Sequence, residues 1–186
     1  MKRSCDFVLA GILILIVALL LGFLAMAIRF TSNGPALFWS DRVGRHGSIF
    51  RMPKLRTMKL ETPLVATASL TNPDAYLTPI GKFLRRSSLD ELPQLWSILK
   101  GEMSFVGPRP ALIDQHDLIR LRNGLGIDAL LPGLTGWAQV NGRDDCAIGE
   151  KVRLDFEYLH RQSRAFDAEI ICLTVIAVVH RTGISH

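Results

Sequence analysis

Two adjacent carboxylates, Asp90 and Glu91, sit in the run Ser87-Ser88-Leu89-Asp90-Glu91-Leu92-Pro93. Cations flank them along the chain: Arg85 and Arg86 just before, Arg109 between Pro108 and Pro110, and Lys54 and Arg56 upstream. An ionised Asp can attack phosphorus to give an acyl phosphate. Two carboxylates facing a diphosphate repel it, so such a site needs basic groups and a divalent cation. Mg²⁺ suits the task, because it takes one or two carboxylates, keeps some waters and bridges phosphate oxygens. Asp90 and Glu91 are its candidate ligands, with Lys54, Arg56, Arg85 and Arg109 as candidate phosphate partners. The same run also has a purely structural reading. Ser88 and Glu91 match a capping box; alternatively Asp90 is the N-cap, the favoured arrangement, because Pro93 then falls in the first turn, where its missing N–H breaks no helical bond.

The elements that must hold these groups are mainly helical, with a few short β segments. Thr31-Ser32-Asn33-Gly34-Pro35 is a turn cluster, and it divides the chain into an N-terminal helix (1–30) and a polar domain (31–186). Residues 36–57 read as short extended segments with turns near Gly44 and Gly47, residues 61–79 as a Pro-punctuated loop, and 80–86 as a basic helix. Leu92, Leu95, Trp96 and Leu99 then fall on one helical face, with Gly101 at the C-cap position. Pro108-Arg109-Pro110 is extended; a helix is expected over 111–122, a Gly/Pro-rich loop over 131–143, and helices over 150–160 and 167–180. The loop carries Trp137, Gln139 and Arg143, a mixture that suits either a nucleotide or an ordinary turn-rich connection.

Composition sets the environment. Of the 186 residues 48% are hydrophobic, and the excess is concentrated in Phe7 to Ile28, a block without a single charge. That is the length of a helix crossing a bilayer core. Lys2 and Arg3 precede it, and Arg29, Arg42, Arg45, Arg51, Lys54, Arg56 and Lys59 follow, against Asp41 alone. A straight span would place one basic flank on the wrong side by the positive-inside rule, whereas a helix returning through the same face leaves both flanks cytoplasmic. The block is too long for a signal-peptide core. No nucleic-acid-binding motif follows the basic segment, so no nucleic-acid partner is expected. Cys5, Cys146 and Cys172 show no metal-ligand spacing, and Cys5 and Cys172 read as small buried hydrophobes.

Four motifs in order carry a resemblance. Lys54-Leu55-Arg56-Thr57-Met58, Ser88-Leu89-Asp90-Glu91-Leu92-Pro93-Gln94, Lys100-Gly101-Glu102-Met103-Ser104-Phe105-Val106-Gly107-Pro108-Arg109-Pro110 and Pro132-Gly133-Leu134-Thr135-Gly136-Trp137-Ala138-Gln139-Val140-Asn141-Gly142-Arg143 resemble the bacterial sugar transferases, the monotopic phosphoglycosyl transferases. With Lys2-Arg3 and Asp6, the match runs through nearly the whole chain. The resemblance implies that Asp90 attacks the β-phosphate of a UDP-sugar, expels UMP and passes the phosphosugar to polyprenyl (undecaprenyl) phosphate. It implies Glu91 as a Mg²⁺ ligand or proton-transfer aid, and Arg109, Arg85 and Lys54 as phosphate neutralisers. Arg143 and Asp155 are expected near the nucleotide end, and Gln139 among the substrate-binding residues. An N-acetylated hexose is the expected sugar. The implied fold is a re-entrant membrane helix with a compact catalytic domain held by interfacial amphipathic helices, contacting membrane lipids at the cytoplasmic face of the bacterial inner membrane. The chain is expected to be the minimal form, without a further multi-helix region. It departs from many relatives in carrying Ala18-Leu19 where a Ser-Pro pair breaks the membrane helix. A homodimer is left open. Two other classes stay in view: a membrane-anchored UDP-sugar-binding scaffold without turnover, and a phosphohydrolase passing the acyl phosphate to water.

Overall fold

A computed structural model describes residues 2–63, 72–142 and 147–180. Helix α1 (Lys2–Thr31) is followed by the hairpin β1 (Leu37–Val43) and β2 (Ile49–Leu55). Then come α2 (Gly81–Arg86), a 3-10 helix (Leu89–Gln94), α3 (Leu95–Lys100), β3 (Ser104–Val106), β4 (Ala111–Leu112), α4 (His116–Gly124), β5 (Gly133–Thr135), α5 (Trp137–Gly142), α6 (Ile148–Arg161) and α7 (Arg164–His180). The mainly helical reading with short strands holds.

The hairpin pairs Leu37 with Leu55 through to Val43 with Ile49, and its turn uses His46 and Gly47 at positive φ. Pro53 is tolerated inside β2 because that strand lies at the sheet edge, where a missing N–H costs no ladder bond. On the other side of β1, β4 pairs Arg42 with Leu112 and Val43 with Ala111. This pairing corrects the expected helix over 111–122. After Pro110 the backbone is already extended and adds to the open edge of β1, so α4 begins only at His116.

The expected loop over 131–143 is likewise built structure. Its strand β5 runs parallel to β3, with Ser104 opposite Gly133 and Val106 opposite Thr135. Here the glycines serve close approach of two backbones. A Cβ on Gly133 would lie 2.2 Å from the Gly107 nitrogen, and one on Gly136 would lie 2.1 Å from the Gly107 oxygen. No side chain fits between these segments.

Around the carboxylates the helix does not start as expected. Asp90 is not an N-cap, and Ser88 makes no capping bond. The chain instead passes Ser88 in the left-handed region (φ 55°) and winds a 3-10 helix with Pro93 inside it. Three residues per turn, against 3.6 in an α-helix, shift the phase of the buried face. Leu95 and Ile98 are therefore buried together with Gln94 and Ser97, while Trp96 is 53% exposed. Gly101 does close α3, at φ 89°.

One core joins α1, β2, α3, β3, α6 and α7 through Ala10, Met52, Ile98, Phe105, Tyr158 and Ile170. A second joins Ile28 to Leu55 and Leu84. Both ends of α1 are bonded to the polar domain. Lys2 Nζ donates to Asp167 Oδ2 (2.7 Å), to the Tyr158 hydroxyl (2.8 Å) and to the Val106 carbonyl (2.9 Å). Arg3 donates to the last carbonyls of α3, at Ile98 and at Leu99 (2.8 Å), where a cation complements the helix dipole. The Ser104 hydroxyl donates to Asp6 Oδ2 (2.8 Å).

Along its length α1 is apolar, with a window of mean hydropathy 3.2, and it is long enough to cross a membrane. Leu15, Ile16, Leu19 and Phe23 project outward, as lipid-facing side chains do. Cys5 and Cys172 are exposed on α1 and α7, not buried as the sequence implied. A cysteine in an apolar stretch is buried only where that face meets protein.

Candidate active site

Glu91 is the centre of an ion cluster. Its Oε1 accepts from Lys54 Nζ at 2.7 Å and from an Arg109 guanidinium nitrogen at 3.1 Å. Strand β2 delivers Lys54, and the two prolines beside Arg109 fix the backbone that delivers it. Burial opposes ionisation of Glu91, but the charges and hydrogen bonds of Lys54 and Arg109 override it and hold the carboxyl well below the usual range.

Asp90, one residue away, is only 8% exposed. Burial pushes its carboxyl up to about 6; Lys54 works against the rise and the neighbouring Glu91 charge adds to it. Arg85 and Arg109 also face it electrostatically. Among the described residues no hydrogen bond is made to the Asp90 carboxylate. The pair is thus divided: one carboxylate organises cations, and the other stays available. Ser88, in its strained backbone conformation, sits two residues before Asp90, and such strain recurs where a site over-determines its geometry.

The other expected residues fall in different places. Arg85 Nε donates to the Thr57 hydroxyl at 3.0 Å, which aims the guanidinium beside Asp90. Arg56 is buried, and its guanidinium donates to the Ser32 carbonyl (3.1 Å), the Ser32 hydroxyl (2.8 Å) and the Asn33 carbonyl. It fastens the C-terminal end of α1. Asp155 is buried in α6 and accepts from Arg122 Nε (2.9 Å) and from a second Arg122 nitrogen (2.6 Å). Arg122 in turn donates to the Arg109 carbonyl at 2.8 Å, so Asp155 reaches the site through the backbone of Arg109. Gln139 Nε2 donates to the Leu134 carbonyl (3.3 Å) beside the glycine contact. Arg143 lies outside the described residues.

Two residues not singled out for the site line a small cavity next to Arg109. Arg42 and Gln94, with Met52 and Pro110, border a space of about 10 Å³. Gln94 carried a readable signal: a glutamine on the buried face of an apolar helix, three residues after Glu91. Arg42 carried none, because only the pairing of β4 with β1 brings it to Pro110.

With three carboxylate, cysteine or histidine groups as the threshold, the described residues contain no metal-binding cluster. Of the pair, Asp90 accepts no hydrogen bond among the described residues, whereas Glu91 Oε1 is occupied by two cations. That donor set fits a Mg²⁺ ion that draws its other ligands from phosphate and water. A cation needing a full protein cage does not fit it.

Comparison with known proteins agrees with this chemistry. A family model described as bacterial sugar transferase matches residues 1–181. The chain is 40% identical over 183 residues to the UDP-glucose:undecaprenyl-phosphate glucose-1-phosphate transferase of Escherichia coli (strain K12), covering 94% of this chain and 39% of that protein. It is 36% identical over 184 residues to the uncharacterized sugar transferase EpsL of Bacillus subtilis (strain 168), covering 99% and 90% respectively. It is 34% identical over 201 residues to the undecaprenyl-phosphate galactose phosphotransferase of Salmonella typhimurium, covering 98% and 41%. The chain therefore spans well under half of the Escherichia coli and Salmonella proteins and nearly all of EpsL. Matched by that family model from residue 1 to 181, and 36% identical to a sugar transferase of nearly its own length, the chain belongs to the bacterial sugar transferase family.

Proposed function

We propose that this chain transfers a sugar-1-phosphate from a UDP-sugar to polyprenyl phosphate and releases UMP. The names of its relatives support the transfer and the lipid acceptor. The observation that carries the chemistry is the division of labour at the carboxylate pair: Glu91 binds Lys54 and Arg109, while Asp90 accepts no side-chain hydrogen bond among the described residues.

In the first half-reaction an Asp90 oxygen attacks the β-phosphorus. The bond from that phosphorus to the bridging oxygen breaks, and UMP leaves with the electron pair. In the second, an ionised oxygen of polyprenyl phosphate attacks the same phosphorus, the Asp90–phosphorus bond breaks, and the carboxylate returns. Lys54, Arg85 and Arg109 neutralise the charge that both steps bring together. Glu91, held ionised by two cations, carries no proton at neutral pH and acts by fixing Lys54 and Arg109. Asp90 and Glu91 would hold a Mg²⁺ ion, which would supply Lewis-acid stabilisation of the phosphoryl charge. The sugar remains the expected N-acetylated hexose, although the named relatives carry glucose and galactose.

The membrane arrangement has its own support. A straight helix of 30 residues is about 45 Å long at 1.5 Å per residue. A span of a bilayer core about 30 Å thick would carry one end to the far side. Here Lys2 and Arg3 at one end, and the Arg56 contacts at the other, bind the same polar domain. That favours a helix entering and leaving by the cytoplasmic face, with the site at headgroup depth, where a polyprenyl phosphate presents its charge. Exposed Phe83, Trp96, Val175 and Val179 supply apolar contact for the same surface.

The test is UMP release from a panel of UDP-sugars by the purified membrane protein, with and without polyprenyl phosphate. Acceptor-dependent release from one sugar supports the transferase. Continued release with no acceptor identifies a hydrolase, and no release from any sugar leaves the scaffold reading.

A further inference from the structure

The cavity beside Arg109 has the makings of a second anion site. Arg42 is drawn to it by two bonds: Nε donates to the Ser40 hydroxyl (3.0 Å), and a terminal nitrogen donates to the Pro110 carbonyl (3.2 Å). Neither partner carries charge. The charged groups that face Arg42 are Arg109, Glu91 and Asp114. Burial, then the Arg109 charge, lowers the Arg42 guanidinium to about 10. Two guanidinium groups lining one cavity, with Glu91 paired to Arg109 as the carboxylate nearby, favour an incoming anion. Gln94 lies on the floor of the cavity, 2% exposed, and its Nε2 has no hydrogen-bond partner among the described residues. A buried donor without an acceptor is costly unless something supplies one. At about 10 Å³ the cavity admits one oxygen atom.

We propose that Arg42, Gln94 and Arg109 form a phosphate-oxygen pocket that holds UMP as it leaves and polyprenyl phosphate as it arrives. This rests on the Asp90 reading above. Displacement at phosphorus keeps entering and leaving oxygens roughly in line. With Asp90 on one side of the phosphorus, both the departing UMP phosphate and the attacking lipid phosphate occupy the opposite side. Arg42 is suited to that side. It lines one cavity with Arg109 and Gln94, and it is absent from the charges that act on Asp90. One pocket therefore serves two substrates in turn, recognising the phosphate monoester they share.

The experiment is isothermal titration of the detergent-solubilised full chain carrying Asp90→Asn, so that no turnover interferes. The ligands are UMP, uridine and decyl phosphate. Arg42→Gln and Gln94→Leu are expected to weaken UMP and decyl phosphate together by about tenfold or more, the loss of a charge-assisted hydrogen bond, with uridine unchanged. Arg42→Lys is expected to recover part of the affinity, and thermal unfolding identifies a variant that has lost its fold. Unchanged UMP affinity in Arg42→Gln and Gln94→Leu overturns the pocket and assigns the cavity to a water. Loss for one phosphate ligand alone overturns the sharing. Neither reading depends on the covalent step, so a failure of the Asp90 intermediate is scored separately.

Discussion

At the scale of single residues, two adjacent carboxylates differ because their neighbours differ. Glu91 takes both cations and stays ionised; Asp90 is raised by burial and keeps its oxygens available. The proposed reaction uses the ionised Asp90, so on that proposal activity is lost as pH falls through its pKa. We predict an acidic limb in the pH profile of kcat/KM for the UDP-sugar near pH 6, the value toward which Asp90 is pushed. Lys54 opposes that rise, so Lys54→Met is expected to move the limb to higher pH as well as lowering the rate. A limb that stays in place would mean that Lys54 does not face the titrating group. The pair itself, with Arg85 and Arg109, was legible from residue type and order. Arg56 was legible only as a basic residue within a matched motif, and Asp155 only as an acid in the helix expected over 150–160. Their bonds to Ser32 and to Arg122 depend on where α1 and α6 come to rest.

At the scale of elements, the site hangs on joints between short segments. Asp155 holds Arg122, which holds the Arg109 carbonyl. Removing one member of a buried ion pair costs about 3–5 kcal/mol, so Asp155→Asn is expected to lower the melting temperature and raise the KM for the UDP-sugar together. A melting point equal to the wild type would dismiss the joint. The β3–β5 contact is equally strict. Gly133→Ala forces a Cβ onto the Gly107 nitrogen, and overpacking of this kind costs about 1–3 kcal/mol; denaturant unfolding at a lower midpoint is the expected result. These joints mark where the sequence stopped being readable. Helices α2, α6 and α7 lie where a basic, a charged and an apolar helix were expected, and β1 and β2 lie where extended segments with turns near Gly44 and Gly47 were expected. Strands β4 and β5 were not expected, because two and three residues carry no period and take their form from partners distant in the chain. The 3-10 start before α3 was hidden for a related reason: a capping pattern fits both windings until the tertiary contacts choose one.

At the scale of the whole molecule, a long apolar helix and a polar domain are joined at both ends of that helix, and the proposed one-sided membrane arrangement follows from that joining. With the native cysteines replaced, single cysteines at Ser4 and Asn33 are expected to react with an impermeant thiol reagent from the same side of sealed, inside-out vesicles. Labelling from opposite sides would convert the helix into a straight span. The expectation of a one-sided topology rests on the flank charges, Lys2 and Arg3 against the basic segment after Arg29, since the apolar block holds no Pro and only Gly11 and Gly22 as weak points. The proposed function turns on one event, the transient attachment of a phosphosugar to Asp90. The most direct measurement is incubation of the protein with a UDP-sugar labelled with ³²P at the β-phosphate, without lipid acceptor, followed by peptide mass mapping. Label retained on the peptide containing Asp90, discharged by polyprenyl phosphate and absent from Asp90→Asn, is the predicted result. Transfer to the lipid with no labelled protein at any time, or labelling that survives Asp90→Asn, would contradict it.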